Sequence, residues 1–311
     1  MSNKIRLGEE TEFTIFGRKI AAKRWGDSGG YPTLAIHGWL DNANTFDRLA
    51  PMLPELDLVV IDLAGHGHSD HRAPGVQYLQ WDYVVDILAL ADLLGWDTFN
   101  IIGHSMGGQI SSVIAATFPE RVNKAIMIDG FAAEGTYTDE ERVAGNRQTA
   151  EKMLSAHTRP AKVFQDIETM ALRVKEATDQ TLDAARILVN RGHREVNGGV
   201  SWRTDPRIRY PSSNRSSRNQ LDIMLKQSTS PALLIVAEEG DKWYRSEIPQ
   251  AELHHPNLKV IRIPGPHHIH LEANYAGQVI ALTRDFLNLA MLGASNDASN
   301  HPRKQSQALS A

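Results

Sequence analysis

The chain has 311 residues, 41% hydrophobic and 23% charged, with a formal net charge of -4, which is the profile of a globular protein and excludes collagenous, coiled-coil and wholly disordered classes. A protein built mainly to grip nucleic acid or anionic lipid carries a strong basic excess, and none is present, so neither partner is expected. With no cysteine, disulfides, thiolate nucleophiles and cysteine-ligated metals are excluded, while the polar start at residues 1–10 and the lack of any eighteen-residue apolar run predict an unanchored, cytoplasmic protein.

Residues 12–25 alternate in two short runs around Gly17, which predicts a hairpin with Phe13, Ile15, Ile20 and Ala22 turned inward. Residues 33–36 and 58–61 are short apolar runs that each end in glycine-rich segments, as buried parallel strands do. Val84, Val85, Leu88, Leu93 and Leu94 recur at helical spacing over residues 78–96, with Gly95 placed to close the helix. A strand at 99–103, a helix at 106–118 and a strand at 124–128 follow. Between 130 and 227 strand signals fade and helical stretches at 150–153, 161–176 and 181–189 take over, ending in a loop-rich piece at 197–219 that Pro206 and Pro211 interrupt. Strands at 233–237 and 258–263 and a closing helix at 271–292 restore the rhythm, and the polar stretch 294–311 is expected to be disordered.

These elements predict an α/β architecture with a mostly parallel sheet, helices on both faces and an inserted helical cap. The expected division is a core at 1–130, the cap at 131–228, the rest of the core at 229–293 and a tail at 294–311. Ligands of such sheets bind at the carboxyl ends of the strands, so chemistry is sought in the loops that follow strands.

The sharpest of those loops is Gly103-His104-Ser105-Met106-Gly107, a G-x-S-x-G sequence set between an apolar strand and an amphipathic helix, the context of a nucleophile elbow. The alternative is a tight turn whose serine merely caps the helix. A serine nucleophile needs a base. Of the chain's 13 histidines, His267, His268 and His270 lie together after the last strand. Histidine clusters also bind metals, but no complementary cysteine or carboxylate motif adjoins this one, so neither a metal nor a cofactor is expected. His37-Gly38-Trp39 follows the third strand, where this fold supplies one oxyanion amide, so the expected donors are the backbone N–H groups of Trp39 and Met106. Asp41, Asn42 and Asn44 read as local caps. Arg203, Arg207 and Arg209 read as a solvated or ion-paired basic run, with carboxylate binding as the alternative. Trp202 and Phe131 are either pocket lining or packing.

The segments His37-Gly38-Trp39-Leu40-Asp41-Asn42-Ala43, Asp62-Leu63-Ala64-Gly65-His66-Gly67-His68-Ser69 and Gly103-His104-Ser105-Met106-Gly107-Gly108 resemble the serine hydrolase-like, or kraken-type, branch of the α/β-hydrolase superfamily. The likeness spans most of residues 12–292 and is strongest before 130. It implies a serine hydrolase, in the first instance a carboxylesterase acting on small to medium acyl esters through an acyl-enzyme. Lactone or carbon–carbon bond hydrolysis, or a non-hydrolytic ligand receptor, stands as the alternative. Haloalkane dehalogenases and epoxide hydrolases share the fold but use an aspartate nucleophile, against which Ser105 argues. The family pattern His-x-x-His-Leu-Glu places the base on His267, with His268 as runner-up, and assigns His66, His68 and Ser69 a structural loop. In many relatives the acid follows the seventh core strand as Gly-x-x-Asp, yet Ala237-Glu238-Glu239-Gly240 puts glycine there and Asp241 comes one residue late. The fold's other acid position, after the sixth strand, holds Asp129. Asp129 is therefore preferred over Asp241, Glu238 and Glu239.

Overall fold

The computed structural model describes residues 8–131, 138–155, 162–212, 216–240 and 245–290. The expected tail at 294–311 and the candidate acid Asp241 lie outside the described residues. Strands β1 (Glu9–Ile15) and β2 (Arg18–Trp25) form the predicted hairpin, with Phe13 opposite Ile20. Its tip, Phe16 and Gly17, turns through positive φ at both residues, the geometry that matches the twist of paired strands. Then come β3 (Tyr31–Ile36), β4 (Leu56–Ile61), α1 (Gln80–Leu93), β5 (Phe99–His104), α2 (Met106–Thr117) and β6 (Val122–Ile128). Every residue of β4 and β5 is buried, because helices cover both faces of the sheet.

The inserted segment holds α3 (Asp139–Leu154), β7 (Val163–Phe164), α4 (Ile167–Ala177), α5 (Leu182–Gly192), β8 (His193–Val196), β9 (Gly199–Trp202) and α6 (Arg218–Gln227). The sequence pattern predicts a helical insert, but the segment also holds strands: β7, β9 and β8 form a small antiparallel sheet. The reason is Asn197-Gly198, which joins β8 to β9 as a two-residue hairpin loop, with Gly198 at φ 88. Strands of four residues show too little alternation to stand out from a loop. The core resumes with β10 (Ala232–Ala237), α7 (Ile248–His254), β11 (Leu258–Ile263) and α8 (Ala276–Leu287). The closing helix is shorter than its apolar pattern predicts. Glu272 accepts hydrogen bonds from Thr181 N at 2.8 Å and Thr181 Oγ1 at 2.7 Å, which ties the residues before α8 to the inserted segment as turns.

The eight-stranded sheet runs β1-β2-β4-β3-β5-β6-β10-β11 and is parallel from β4 onward in space. The carboxyl ends of β3, β5, β6, β10 and β11 thus converge on one edge. The inserted segment is pinned above that edge by Arg191 of α5, whose side chain is 3% exposed and whose Nε donates to Asp62 Oδ2 at 2.8 Å, while Nη1 donates to Glu10 at 2.7 Å. Asp62 also accepts the amides of Ala43 and His68, each at 2.7 Å, so the Asp62 segment is a structural hub as expected. Removing one partner of a buried ion pair strands the other charge. Arg191→Leu is expected to lower stability by about 3 kcal/mol or more, read as a shift in the urea unfolding midpoint at unchanged slope.

Candidate active site

Ser105 occupies the turn between β5 and α2 with φ 51 and ψ -118, a strained conformation for a residue with a side chain. Two close approaches make the turn possible. A Cβ on Gly107 would lie 2.1 Å from the carbonyl oxygen of Ile36, and one on Gly103 would lie 2.2 Å from that of Gly107, so helix and strands meet only because both side chains are absent. The Ser105 hydroxyl makes no capping bond to α2, which sets aside the capping alternative.

Beside Ser105, β6 is followed by Asp129, also at positive φ (43) and fully buried. Its Oδ2 lies 2.6 Å from His267 Nδ1, and its Oδ1 accepts the amide of Ala237 at 3.0 Å. The two loops are in contact: a Cβ on Gly130 would lie 2.2 Å from the carbonyl oxygen of Ser105. Gly240 explains how the carboxylate fits. A Cβ there would lie 2.1 Å from Asp129 Oδ2, so the place that a side chain after β10 would fill is taken by the carboxylate from β6. Glu238 and Glu239 are exposed, and their backbone amides donate to the carbonyls of Ile263 and Gly265. His268 turns away from Asp129, toward Asp41 and Gln180. Among the described candidates, the structure therefore brings His267 and Asp129 together. The inserted segment helps to place the histidine loop, since Asp179 Oδ2 accepts the His267 amide at 3.1 Å.

The loop after β3 abuts the elbow. A Cβ on Gly38 would lie 3.2 Å from Ser105 Cβ. The Leu40 amide donates to His66 Nε2 at 3.3 Å and the Asp41 amide to the Gly38 carbonyl at 3.2 Å. The Trp39 amide has no acceptor among the described residues, and the Met106 amide opens α2, where the first N–H groups lack helical partners. The Trp39 side chain is half exposed and donates Nε1–H to the Ile208 carbonyl at 3.1 Å, with the Arg209 guanidinium 5.7 Å above its ring. Arg207 is held by Asp205, at 2.6 Å, and by the carbonyls of Arg72, Ala73 and Val76, an ion-paired residue rather than a free cation. Phe131 and Trp202 pack into the sheet core and the inserted segment respectively.

Two buried histidines brace the loop after β3. His37 donates from Nδ1 to the Gly38 carbonyl and accepts the Leu63 amide at Nε2, while His66 packs 4.8 Å from it, edge to face. Burial pushes His37 down to about 4 and His66 to about 3, so both are neutral in the native state. The unfolded chain protonates them near their usual 6.5. Stability is therefore complete above pH 6.5 and falls as the pH drops toward 4, where only the unfolded state takes up protons. Urea unfolding at pH 7 and pH 4.5 is expected to show a loss of about 2–5 kcal/mol on acidification.

The sequence reading missed a second cluster. Asn42 does cap the short turn that follows it, and its Nδ2, like that of Asn44, holds a carbonyl of α5. Asp41 does something else: its Oδ2 lies 3.3 Å from His104 Nδ1 and 3.2 Å from His268 Nε2, with all three residues buried. Burial opposes ionisation of Asp41, but the facing His268 and His104 imidazoles outweigh it and hold the carboxyl well below the usual range. The only signal in the sequence was polarity at positions that the strand pattern marks as buried.

Known proteins resemble this chain in sequence and in fold. Residues 31–274 match the family model described as the alpha/beta hydrolase fold. A probable serine hydrolase of Drosophila melanogaster is 33% identical over 287 residues, 85% of this chain and 85% of its own. Serine hydrolase-like protein 2 of Homo sapiens is 31% identical over 294 residues, 88% of this chain and 93% of its own. Among solved structures, a selenomethionine-substituted hypothetical protein from Pseudomonas aeruginosa PAO1 superposes with a TM-score of 0.83 at 34% identity, over 90% of this chain and 99% of that one.

Proposed function

This chain belongs to the α/β-hydrolase family, in its serine hydrolase-like branch, and from that premise we propose that it is a carboxylesterase acting through Ser105, His267 and Asp129. The observation that carries the proposal is the 2.6 Å contact from His267 Nδ1 to the buried Asp129 carboxylate, beside the strained Ser105 turn. With Nδ1–H donated to Asp129, Nε2 is the basic nitrogen of the ring. It takes the Ser105 proton as Oγ attacks the ester carbonyl. The oxygen that becomes negative is held by the Trp39 and Met106 amides, and the imidazolium returns its proton to the leaving alkoxide. Water then repeats the sequence on the acyl-enzyme and frees a carboxylate. The inserted segment acts as a cap that touches both the Trp39 loop and the His267 loop, so it sets which small or medium acyl ester enters.

The test is turnover of a short aryl ester together with covalent labelling by a fluorophosphonate probe. Turnover with labelling supports the esterase. Labelling without turnover of any ester or lactone would indicate a receptor on the same fold, and neither response would overturn the role of Ser105.

A further inference from the structure

The cluster beneath the elbow brings together three atoms of metal-ligand type. His104 Nε2 lies 3.1 Å from the carbonyl oxygen of His267, which accepts only, so Nε2 carries the hydrogen. In the ring form with a single hydrogen, Nδ1 is then a bare lone pair. That atom is buried, has no hydrogen-bond partner among the described residues, and faces Asp41 Oδ2 at 3.3 Å. Two atoms of metal-ligand type thus face each other.

His268 adds a third. The Gln180 amide nitrogen lies 3.0 Å from His268 Nδ1 and 2.9 Å from its Nε2, and Gln180 Oε1 is buried without a partner among the described residues in its present setting. Flipped about its last bond, the amide sets Oε1 as the acceptor for a hydrogen on Nδ1, and His268 Nε2 faces Asp41 Oδ2 at 3.2 Å.

We propose that Asp41 Oδ2, His104 Nδ1 and His268 Nε2 form a binding site for one divalent transition-metal ion, with zinc as the fitting case. The three atoms lie within 4.8 Å of one another. Two of the separations, 3.2 and 3.3 Å, are close to the edge of a tetrahedron with bonds of about 2.0–2.1 Å, and a bound ion would draw the two imidazoles closer together. Two imidazoles and one carboxylate suit zinc and its borderline neighbours rather than magnesium or calcium. The ligands come from the loop after β3, the last residue of β5 and the loop after β11, so the fold itself assembles the set. Room beside it is provided by Gly38, where a Cβ would lie 3.1 Å from both Asp41 Oδ2 and His104 Nδ1 and 3.2 Å from Ser105 Cβ. The cation would rest in the floor of the active site, against the nucleophile. The site departs from the sequence expectation of no metal, because the carboxylate lies far from the histidines along the chain.

The test uses the full chain, stripped with a chelator and titrated with zinc against a chromophoric competitor and by calorimetry. One tight zinc per chain is expected, weakened about a hundredfold or more in Asp41→Asn and His268→Gln. Zinc affinity unchanged in both variants, or no binding by the wild type at micromolar zinc, overturns the site. Cobalt substitution of the wild type gives a readout that needs no variant to fold. Intense visible d–d absorption of a four- or five-coordinate ion supports the site, and the weak spectrum of hydrated octahedral cobalt overturns it. None of these readings depends on esterase activity, so failure of the proposed function leaves them standing.

Discussion

Ser105→Ala is expected to lower kcat for a short aryl ester about a millionfold and to abolish fluorophosphonate labelling, while the fold and its unfolding midpoint stay close to those of the wild type. The magnitude follows from the chemistry. Without the hydroxyl no acyl-enzyme forms, and what survives is the modest help that the Trp39 and Met106 amides give to attack by water. Removing the strained turn's side-chain oxygen leaves the backbone bond from Ser105 N to the Ile128 carbonyl, at 2.9 Å, untouched, so the loss should appear in kcat rather than in stability. Activity within a hundredfold of wild type would show that Ser105 is not the nucleophile.

Asp129→Asn is expected to cost about ten-thousandfold in kcat, with the substitution tolerated sterically. An amide facing His267 Nδ1 at 2.6 Å can present its NH2 group, which favours the tautomer with the hydrogen on Nε2 and blocks removal of the Ser105 proton. It also withdraws the charge that stabilises the imidazolium. Asp241→Asn serves as the comparison and is expected to retain most of its activity. If the effects are reversed, the acid follows β10 as in the commoner pattern. Gly240 is the physical reason to expect otherwise, since any side chain there would collide with the Asp129 carboxylate.

Much of this site is legible in the residues taken one loop at a time. The elbow announces itself because a strand, the Gly103-His104-Ser105-Met106-Gly107 turn and a helix follow one another directly, and strain of that kind is local. Asp129 is harder to find, for an aspartate at a strand end is commonplace and nothing near it in the chain distinguishes an acid from a cap. Gly240 gives only a negative sign, a missing carboxylate, and its meaning appears when β6 and β10 are seen side by side, with Ile128 opposite Ile235. The choice between His267 and His268 is also spatial. Adjacent residues in a turn point in different directions, and here one meets Asp129 while the other meets Asp41.

The sheet and its helices were determined by the sequence, because buried parallel strands are short apolar runs and their periodicity survives in the chain. The glycines that allow helix α2 to press on β3 and β5 are likewise written in the local order of residues. What only the tertiary structure decided is the pairing of charges between loops: Arg191 with Asp62, His267 with Asp129, and Asp41 with His104 and His268. Those contacts join residues far apart in the chain, and electrostatic attraction depends on distance through space, about which spacing along the chain carries no information.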